Sequence, residues 1–348
     1  MTFVGFQTFF SLAVLAIAAQ GRPEDFNLRL NPFRTLTGFS FRPSSKLRLN
    51  QEIDGDMLSS PARLKRDPEH HIEECMHMAS DEGEYYYKAK LQPDGRACGI
   101  YIFGESDQQI EIRFNFIDVA CENGGLVAVV DGWELNGEVF PSPEDHPKAL
   151  KSRFNEFCGK RKIKQTFVSS QNVALIQYRM PARGASFSFS VRLIRNPSPC
   201  NVLLQVDDTY TLRNYDRRSN CSITSLFPAA IKVLDINVGI TPTRDRGVEY
   251  ETGTYHKCQK RGLDDYVQIG GSLGLDNGNM EIADSLCGLS SKPERHPDFI
   301  GCETTSARLV SSGAYENSVT VLFRKLTEND MNAYMSVVCI PDEVIMEK

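Results

Sequence analysis

The sequence IEIRFNF at residues 110–116 alternates apolar and polar side chains along its whole length. A second stretch, SFSFSVRL at residues 186–193, repeats this alternation. A period of two puts one set of side chains in a core and the other in water, which is typical of a β-strand covering one side of a core. Shorter apolar runs between turn signals lie at residues 126–130, 173–178, 231–238, 266–269 and 319–323. Many short strands without helical periodicity predict an all-β fold of the sandwich or jelly-roll type.

A weak internal repeat predicts two such sandwiches in tandem. Phe157-Cys158-Gly159 follows an apolar strand, and Leu286-Cys287-Gly288 follows another in the second half. Between the halves lies Asn196-Pro197-Ser198-Pro199, whose prolines favour a short linker over a strand. We therefore expect a first domain at residues 75–197, a second at residues 198–340, and a tail at residues 341–348.

The N-terminus has the pattern of a secretory leader. Residues 3–19, FVGFQTFFSLAVLAIAA, contain no charge and end in small residues before Gly21. An apolar core of this kind followed by small residues is typical of a signal peptide, here residues 1–21. No later run reaches 18 apolar residues, so we expect secretion into the extracellular space without a membrane anchor.

The charge of the chain is divided unevenly. Residues 22–66 hold nine Lys or Arg against five Asp or Glu, whereas the whole chain has a net charge of −6. A basic N-terminal segment, residues 22–74, thus precedes an anionic body, which argues against a nucleic-acid partner. The segment includes Arg63-Leu64-Lys65-Arg66, which resembles a proprotein-convertase site with cleavage after Arg66. A solvated basic cluster in a linker explains these four residues equally well.

Ten cysteines, all after the leader, predict a disulfide framework because secreted thiols pair and persist. Pairing of sequential neighbours is the simplest arrangement, but the order of ten cysteines proves no pairing. Asn220-Cys221-Ser222 is an N-x-S sequon without proline in the middle, and it predicts a glycan at Asn220. Some sequons of this kind are not glycosylated, particularly when the middle residue is a disulfide-bonded cysteine.

Several motifs together resemble the corticotropin-releasing factor binding protein family. The stretches that carry the resemblance are DGWELNGEVFPS at 131–142, DHP at 145–147, SSQNVA at 169–174, PCNV at 199–202, NCS at 220–222, DYV at 265–267 and RLVSSG at 308–313. The likeness extends from about Cys75 to Cys339.

This resemblance implies two CUB-like β-sandwich domains and five sequential disulfides. The implied pairs are Cys75–Cys98, Cys121–Cys158, Cys200–Cys221, Cys258–Cys287 and Cys302–Cys339. It also implies a glycan near the third pair. The expected partner is a corticotropin-releasing-factor-like peptide hormone, which in an invertebrate would be diuretic-hormone-like.

The resemblance also points to ligand contacts beside the first cysteine. The family associates binding with a basic residue four positions before that cysteine and an acidic residue two positions after it; here these are His71 and His77. The changed charges put a strict transfer of ligand preference in doubt, and both residues are equally well explained as exposed side chains. Further aromatic candidates are Tyr85, Tyr86, Tyr87 and Trp133, with core or strand packing as the alternative role.

Catalytic and metal motifs are weaker. Gly270-Gly271-Ser272-Leu273-Gly274 matches a nucleophile elbow, followed by Asp284 and His296, but the α/β context that an elbow needs is missing. His70, His71, Glu74, Cys75 and His77 include metal-ligand types, yet a disulfide at Cys75 removes its thiolate. Asp264 and Asp265 leave a calcium site in the second domain as an open alternative. We therefore expect no cofactor and no resident metal.

The sequence thus predicts a secreted, non-enzymatic protein that sequesters peptides of the corticotropin-releasing factor class. A CUB-type adhesion or matrix protein is the alternative, because the same sandwiches also present surfaces to proteins and glycans.

Overall fold

The computed structural model of the protein describes residues 69–89, 95–240, 251–293, 296–331 and 334–340. The predicted signal peptide, the basic segment up to residue 68 with Arg66, and the tail at 341–348 lie outside the described residues. Within the described ranges nearly all of the regular secondary structure is β-strand; the exceptions are three short 3-10 helices and one short α-helix, α1, at Glu328–Met331. None of the helices in these ranges is long and apolar enough to cross a membrane.

The first module is formed by the strands that precede the predicted linker. They are β1 Glu69–His71, β2 Met76–Ala79, β3 Gly83–Lys88, β4 Ala97–Phe103, β5 Gln108–Val119, β6 Leu126–Val130, β7 Trp133–Leu135, β8 Glu138–Phe140, β9 Phe154–Phe157, β10 Gly159–Arg161, β11 Thr166–Val168, β12 Val173–Arg179 and β13 Ser186–Arg195.

Two sheets make up this module. Sheet I has the order β1-β3-β13-β5-β10, with β11 also paired to β5; sheet II has the order β2-β4-β12-β6-β9. Ile110, Ile112, Phe187 and Phe189 are buried in the first hydrophobic core, as the alternation of the sequence predicts. The all-β sandwich prediction is therefore confirmed for this part of the chain.

The second module follows the linker. Its strands are β14 Asn201–Leu204, β15 Asp208–Arg213, β16 Ser219–Ser225, β17 Ala229–Val238, β18 Gly253–His256, β19 Tyr266–Ser272, β20 Glu281–Ser290, β21 Asp298–Gly301, β22 Thr304–Ser311, β23 Ser318–Lys325 and β24 Val337–Val338.

The second module repeats the strand order of the first. The order β15-β23-β17 corresponds to β3-β13-β5, and β14-β16-β22-β19-β20 corresponds to β2-β4-β12-β6-β9. The modules differ at one edge, because β20 pairs with both β19 and β17 and so joins the two layers. A second hydrophobic core fills the space between these layers.

Five disulfides reinforce the sandwiches, and no cysteine is free. Cys75–Cys98 and Cys121–Cys158 lie in the first module. Cys200–Cys221, Cys258–Cys287 and Cys302–Cys339 lie in the second. Each disulfide joins sequential cysteines, so none of the five links the two modules to each other.

A third hydrophobic core joins the modules instead. Trp133, Phe103 and Leu175 of the first module pack in one cluster with Leu203 and Leu275 of the second. The indole Nε1 of Trp133 donates to the carbonyl oxygens of Ile102 and Ala174, each at 3.1 Å. This buries the only tryptophan of the chain with its polar group satisfied, as a stable core requires.

A buried ion pair reinforces the same junction. The Arg308 guanidinium donates from Nε to both oxygens of Asp145, at 2.8 and 3.0 Å, and from Nη2 to Oδ1 at 2.5 Å. The two side chains are only 8% and 0% exposed. Burial opposes the charge of the guanidinium, but the hydrogen bonds and charge of Asp145 outweigh it and raise the pKa of Arg308. Burial raises the pKa of Asp145, and the hydrogen bond and charge of Arg308 oppose this rise.

A second buried carboxylate, Asp131, holds loops of the first module together. It accepts from Lys148 Nζ at 2.6 Å, from the backbone N and the hydroxyl of Ser170 at 2.7 Å each, and from Gln171 Nε2 at 3.0 Å. Burial alone would raise the pKa of Asp131, but the hydrogen bonds from His146, Lys148 and Ser170 hold it well below its ordinary value. Gly132 follows with φ of +114°, and an added Cβ would lie 2.2 Å from the Phe140 carbonyl oxygen.

We expect Asp145→Ala to destabilise the protein strongly, because it leaves the Arg308 charge buried with only the exposed Glu144 nearby. Removal of one partner of a buried ion pair typically costs about 3 to 5 kcal/mol. Urea unfolding of the oxidised protein measures this loss. The matched control is Asp118→Ala, which removes the carboxylate from the exposed pair with Lys160 and should barely move the midpoint. Equal midpoints for the two variants would contradict the assigned role of the junction pair.

Asp131 should make stability depend on acidity. Its folded-state pKa lies below the ordinary value of 3.8, so its contribution is complete above that value and is lost as the pH falls towards the folded-state pKa. Asp131→Asn should therefore flatten the decrease in unfolding free energy between about pH 5 and pH 2.5. Urea titrations across this range measure the slope. Asp118→Asn, at a side chain that is 48% exposed, should keep the wild-type slope; an unchanged slope for Asp131→Asn would count against the prediction.

Candidate functional site

The outer surface of sheet I carries a continuous row of side chains across four strands. His71 of β1 is in register with Tyr86 of β3, Tyr86 with Ser188 of β13, and Ser188 with Phe116 of β5. We call these four residues the aromatic row. Tyr85 and Phe189, their chain neighbours, point into the core, which places the row on the opposite, solvent side.

The rings of the aromatic row contact one another. His71 meets Tyr86 edge-on with ring centroids 5.7 Å apart, and Tyr86 lies 6.3 Å from Phe116. Ser188 forms the floor between the two larger rings, and its hydroxyl accepts from Asn115 Nδ2 at 3.1 Å. His71 is exposed, whereas Tyr86 and Phe116 are partly buried. The row is thus a shallow apolar strip in contact with solvent.

Charged side chains flank the strip on both sides. On one side Glu69 is in register with Glu84, which faces Ser190 and then Arg113. On the other side the register runs from Lys88 through Ser186 and Asp118 to Lys160. An apolar strip between a mainly acidic side and a side that holds two lysines suits an amphipathic partner with charges of both signs.

His77 lies in a different environment from His71. It belongs to β2 at the edge of sheet II, and its ring lies 6.3 Å from that of Tyr85, between the sheets. Burial lowers the pKa of His77; Glu74 opposes this effect and His70 adds to it. His70 stacks on Tyr85 at 4.6 Å. The two positions that the family associates with binding therefore lie on edge strands of different sheets.

Two predicted contact residues prove to be core residues. Trp133 is 3% exposed and Tyr85 is 2% exposed. Trp133 is covered by the junction core, and Tyr85 stacks on Phe189 at 5.3 Å while its hydroxyl donates to the Asp81 carbonyl oxygen. Neither side chain presents a surface to a ligand, so we remove both from the candidate contacts.

Tyr87 is partly buried and also packs inward. Its ring lies 4.5 Å from Tyr178 and 5.7 Å from Phe187, at the margin of the first core. Among the three consecutive tyrosines, only Tyr86 faces outward. Phe116 and Ser188, which sequence reasoning did not select, complete the strip. The available signal was the run of small serines on the outward side of β13, which leaves space between the neighbouring rings.

Asn220, the predicted glycosylation site, is a partly buried residue of β16 in register with Val310. Its side chain is among the groups that oppose the burial-induced rise in the pKa of Asp145. The predicted glycan would therefore be attached beside the junction between the modules.

The elbow motif does not assemble a catalytic site. Ser272 Oγ donates to the Gly274 carbonyl oxygen at 2.9 Å and lies 2.7 Å from the Thr304 hydroxyl. Asp284 pairs with His256 at 2.5 Å and not with His296. The residues after β19 turn directly into β20 without a helix.

Two of the residues weighed as metal-ligand types have other partners. Cys75 is in a disulfide, and Asp265 accepts from Ser311, Ser312 and Asn317. In the described ranges, no three His, Cys, Asp or Glu side chains lie close enough to hold a metal ion.

A pocket of about 360 Å³ lies where the modules meet. Phe103 and Leu193 of the first module and Leu203, Leu204 and Val206 of the second form its apolar walls. Glu105 and Asp208 also line it. Its volume accommodates an apolar side chain, whereas the aromatic row offers an extended surface.

Comparisons with known proteins match both modules. The model of the corticotropin-releasing factor binding protein N-terminal domain matches residues 69–195, and that of the C-terminal domain matches residues 203–332. The corticotropin-releasing factor-binding protein of Xenopus laevis is 31% identical over 273 residues, which cover 77% of this chain and 82% of that protein. The human protein of the same name is 31% identical over 290 residues, covering 81% and 87%.

A solved structure of the CUB1-EGF-CUB2 domains of rat MASP-1 is 13% identical, with a TM-score of 0.23, over 72% of this chain and 99% of that one. The two matched models together span more than half of the sequence, and the curated relatives extend across both modules. The chain therefore belongs to the corticotropin-releasing factor binding protein family.

Proposed function

We propose that the protein is a secreted binding protein that sequesters corticotropin-releasing-factor-like, diuretic-hormone-like neuropeptides and so limits activation of their receptors. The observation that carries this proposal is the match of both family domains to the two modules in order. Capture is stoichiometric, without chemical turnover. The uncharged leader and the five disulfides support an extracellular place of action.

The aromatic row provides a surface for such a peptide. Adjacent strands are about 4.8 Å apart, so the four strands from β1 to β5 extend the row over about 14 Å. A helix rises 5.4 Å per turn, so about two and a half turns of a bound helix would lie along the row. An amphipathic helix would place its apolar side on Tyr86 and Phe116, with its charged flanks towards Glu84 on one side and Lys88 on the other.

Rigidity of the receiving surface favours tight capture. A peptide that is disordered when free loses conformational freedom on binding, which costs a few kcal/mol of the gross interaction energy. A surface that is already ordered adds little further cost. The aromatic row lies on three consecutive strands of one sheet plus its edge strand, over a core of stacked phenylalanines, so its backbone is held before the ligand arrives.

Isothermal titration with a synthetic amidated peptide of the corticotropin-releasing factor class tests the function. We expect binding heat with one peptide per chain from correctly oxidised protein. Absence of heat at micromolar concentrations would overturn the proposal and favour the adhesion or matrix alternative.

Replacement of the aromatic row should weaken capture. Tyr86→Ala and Phe116→Ala each remove an aromatic contact of the kind that dominates interfaces, and we expect at least a tenfold increase in Kd, or about 1.4 kcal/mol, for each variant. The matched control is Tyr334→Ala in the second module, at a side chain that is 89% exposed, with an expected Kd equal to that of the wild type.

Near-ultraviolet circular dichroism should accompany these titrations, to establish that each variant is folded. If the wild type binds the peptide and both folded variants bind it equally well, the peptide lies elsewhere, and the aromatic row is not its site.

A further inference from the structure

A basic segment forms the free edge of sheet I, next to β5. Lys160, Arg161, Lys162 and Lys164 lie within five consecutive residues, and all four are exposed. We call these four residues the basic edge. At most about 14 Å of extended chain separates the first from the last. This concentration of positive charge stands out on a body whose net charge is strongly negative.

The basic edge is held rigidly. β10 pairs with β5 through Lys160 opposite Asp118 and Arg161 opposite Ile117. The Cys121–Cys158 disulfide lies two residues before Lys160, and Ile163, in the middle of the segment, packs against the first core. The Arg161 guanidinium lies 5.1 Å from the centre of the Phe157 ring. Lys160 and Arg161 are therefore arranged on an ordered strand edge before any ligand binds, and Ile163 anchors the loop that carries Lys162 and Lys164.

Most of this charge is not neutralised by the protein. Lys160 pairs with Asp118 at 3.0 Å, with both side chains well exposed. Within the ranges that the structure covers, no carboxylate lies within ion-pair distance of Arg161, Lys162 or Lys164. Glu156, an exposed residue of β9, is the nearest acid along the chain. Clustered cations of this kind create a local positive potential that attracts anionic partners.

We propose that the basic edge binds a sulfated polysaccharide of the extracellular matrix. Lys and Arg bind tetrahedral oxyanions through charge-assisted hydrogen bonds, and several such contacts in series favour a polymer with repeated sulfate groups. The cations follow one another along the open edge of β10 and the loop after it, and they line neither the pocket where the modules meet nor the one beside Asp131, so the arrangement suits a linear polyanion. A secreted chain meets sulfated polysaccharides outside the cell, whereas nucleic acid is largely absent there.

This second surface adjoins the proposed peptide surface without coinciding with it. β10 pairs with the same β5 strand that carries Phe116, whereas the cations of the basic edge lie beyond that strand at the margin of the sheet. Polysaccharide binding would retain the protein, with its captured peptide, close to the site of secretion. Lys160 belongs to both surfaces, but the two activities are separable through Lys162 and Lys164, which lie outside the flanks of the aromatic row.

Heparin-affinity chromatography of the full oxidised protein tests the proposal. We expect retention on heparin at about 0.15 M salt and elution at higher salt, since ionic contacts are screened as salt rises. Chemically desulfated heparin should retain the protein much less. The variant Lys162→Gln/Lys164→Gln breaks no ion pair, and we expect it to elute at clearly lower salt, with at least a tenfold larger Kd for heparin in surface plasmon resonance.

The matched control is Lys260→Gln/Arg261→Gln, which removes the same charge from two exposed residues of the second module. It should elute with the wild type. An equal shift for both double variants would show a general charge effect and overturn the proposal, as would passage of the wild type through heparin without retention. Equal retention on desulfated heparin would also overturn it.

Two further measurements complete the test. Vesicles containing anionic lipid should bind the wild type more weakly than heparin does, and tighter binding to vesicles would replace the polysaccharide with a membrane. Light scattering should give the same mass for the wild type and for Lys162→Gln/Lys164→Gln. A larger mass for this variant would assign the lysines to protection of the strand edge against self-pairing instead. Its peptide affinity should equal that of the wild type, so failure of this proposal leaves the peptide proposal intact.

Discussion

The Arg308–Asp145 ion pair and the hydrophobic cluster beside it make one structural unit out of two modules that share no disulfide. Two buried charges are costly to remove from water, and their mutual hydrogen bonds must offset that cost. The geometry that achieves this is specific, because Arg308 also donates to Gln268 at 3.2 Å and so has a fixed orientation. Asn172 adds two hydrogen bonds across the junction. Its Nδ2 donates to the Leu203 carbonyl oxygen, and its Oδ1 accepts from the Leu203 backbone N. The relative placement of the modules is therefore determined by polar geometry as well as by apolar contact.

Much of the fold was predictable from local patterns. The alternation at residues 110–116 and 186–193 identifies β5 and β13 and the inward positions of Phe114, Phe187 and Phe189, because strand periodicity is a local property. Phe116 breaks the pattern, because the register shifts between Ser188 and Phe189 and Phe116 lies on the outer surface. The tyrosines at 85–87 show the limit of this reasoning. Alternation requires Tyr86 to face opposite to its neighbours, but the inward face is decided by the pairing of Tyr85 with Phe189, which is about a hundred residues away in the chain.

The contact between the two modules could not be predicted from local sequence patterns for a similar reason. From the sequence, Trp133 is either a ligand contact or a packing residue, and its neighbours in the chain do not decide between the two roles. Its burial depends on Leu203 and Leu275, which lie in the other module. The aromatic row was found only in part for the same reason, since Phe116 and Tyr86 become neighbours through the serine of a strand that lies between them. The basic edge was not predicted for a different reason. The net negative charge of the body is a sum over many residues, and it does not reveal a short segment of positive charge.

The distribution of charge around sheet I connects the proposed functions. A negative body repels sulfated polymers at long range, so a cationic segment attracts them only if it stands clear of neighbouring carboxylates, as Arg161 of β10 and Lys162 and Lys164 of the following loop do. The aromatic row needs the opposite arrangement, with charges at its flanks and none along its length, because a desolvated charge would oppose burial of an apolar helix face. Both demands are met on one sheet because β13 contributes only serines to the middle of the surface. The aromatic row ends on β5 and the basic edge begins on the neighbouring strand β10, so the two proposed surfaces lie side by side on sheet I.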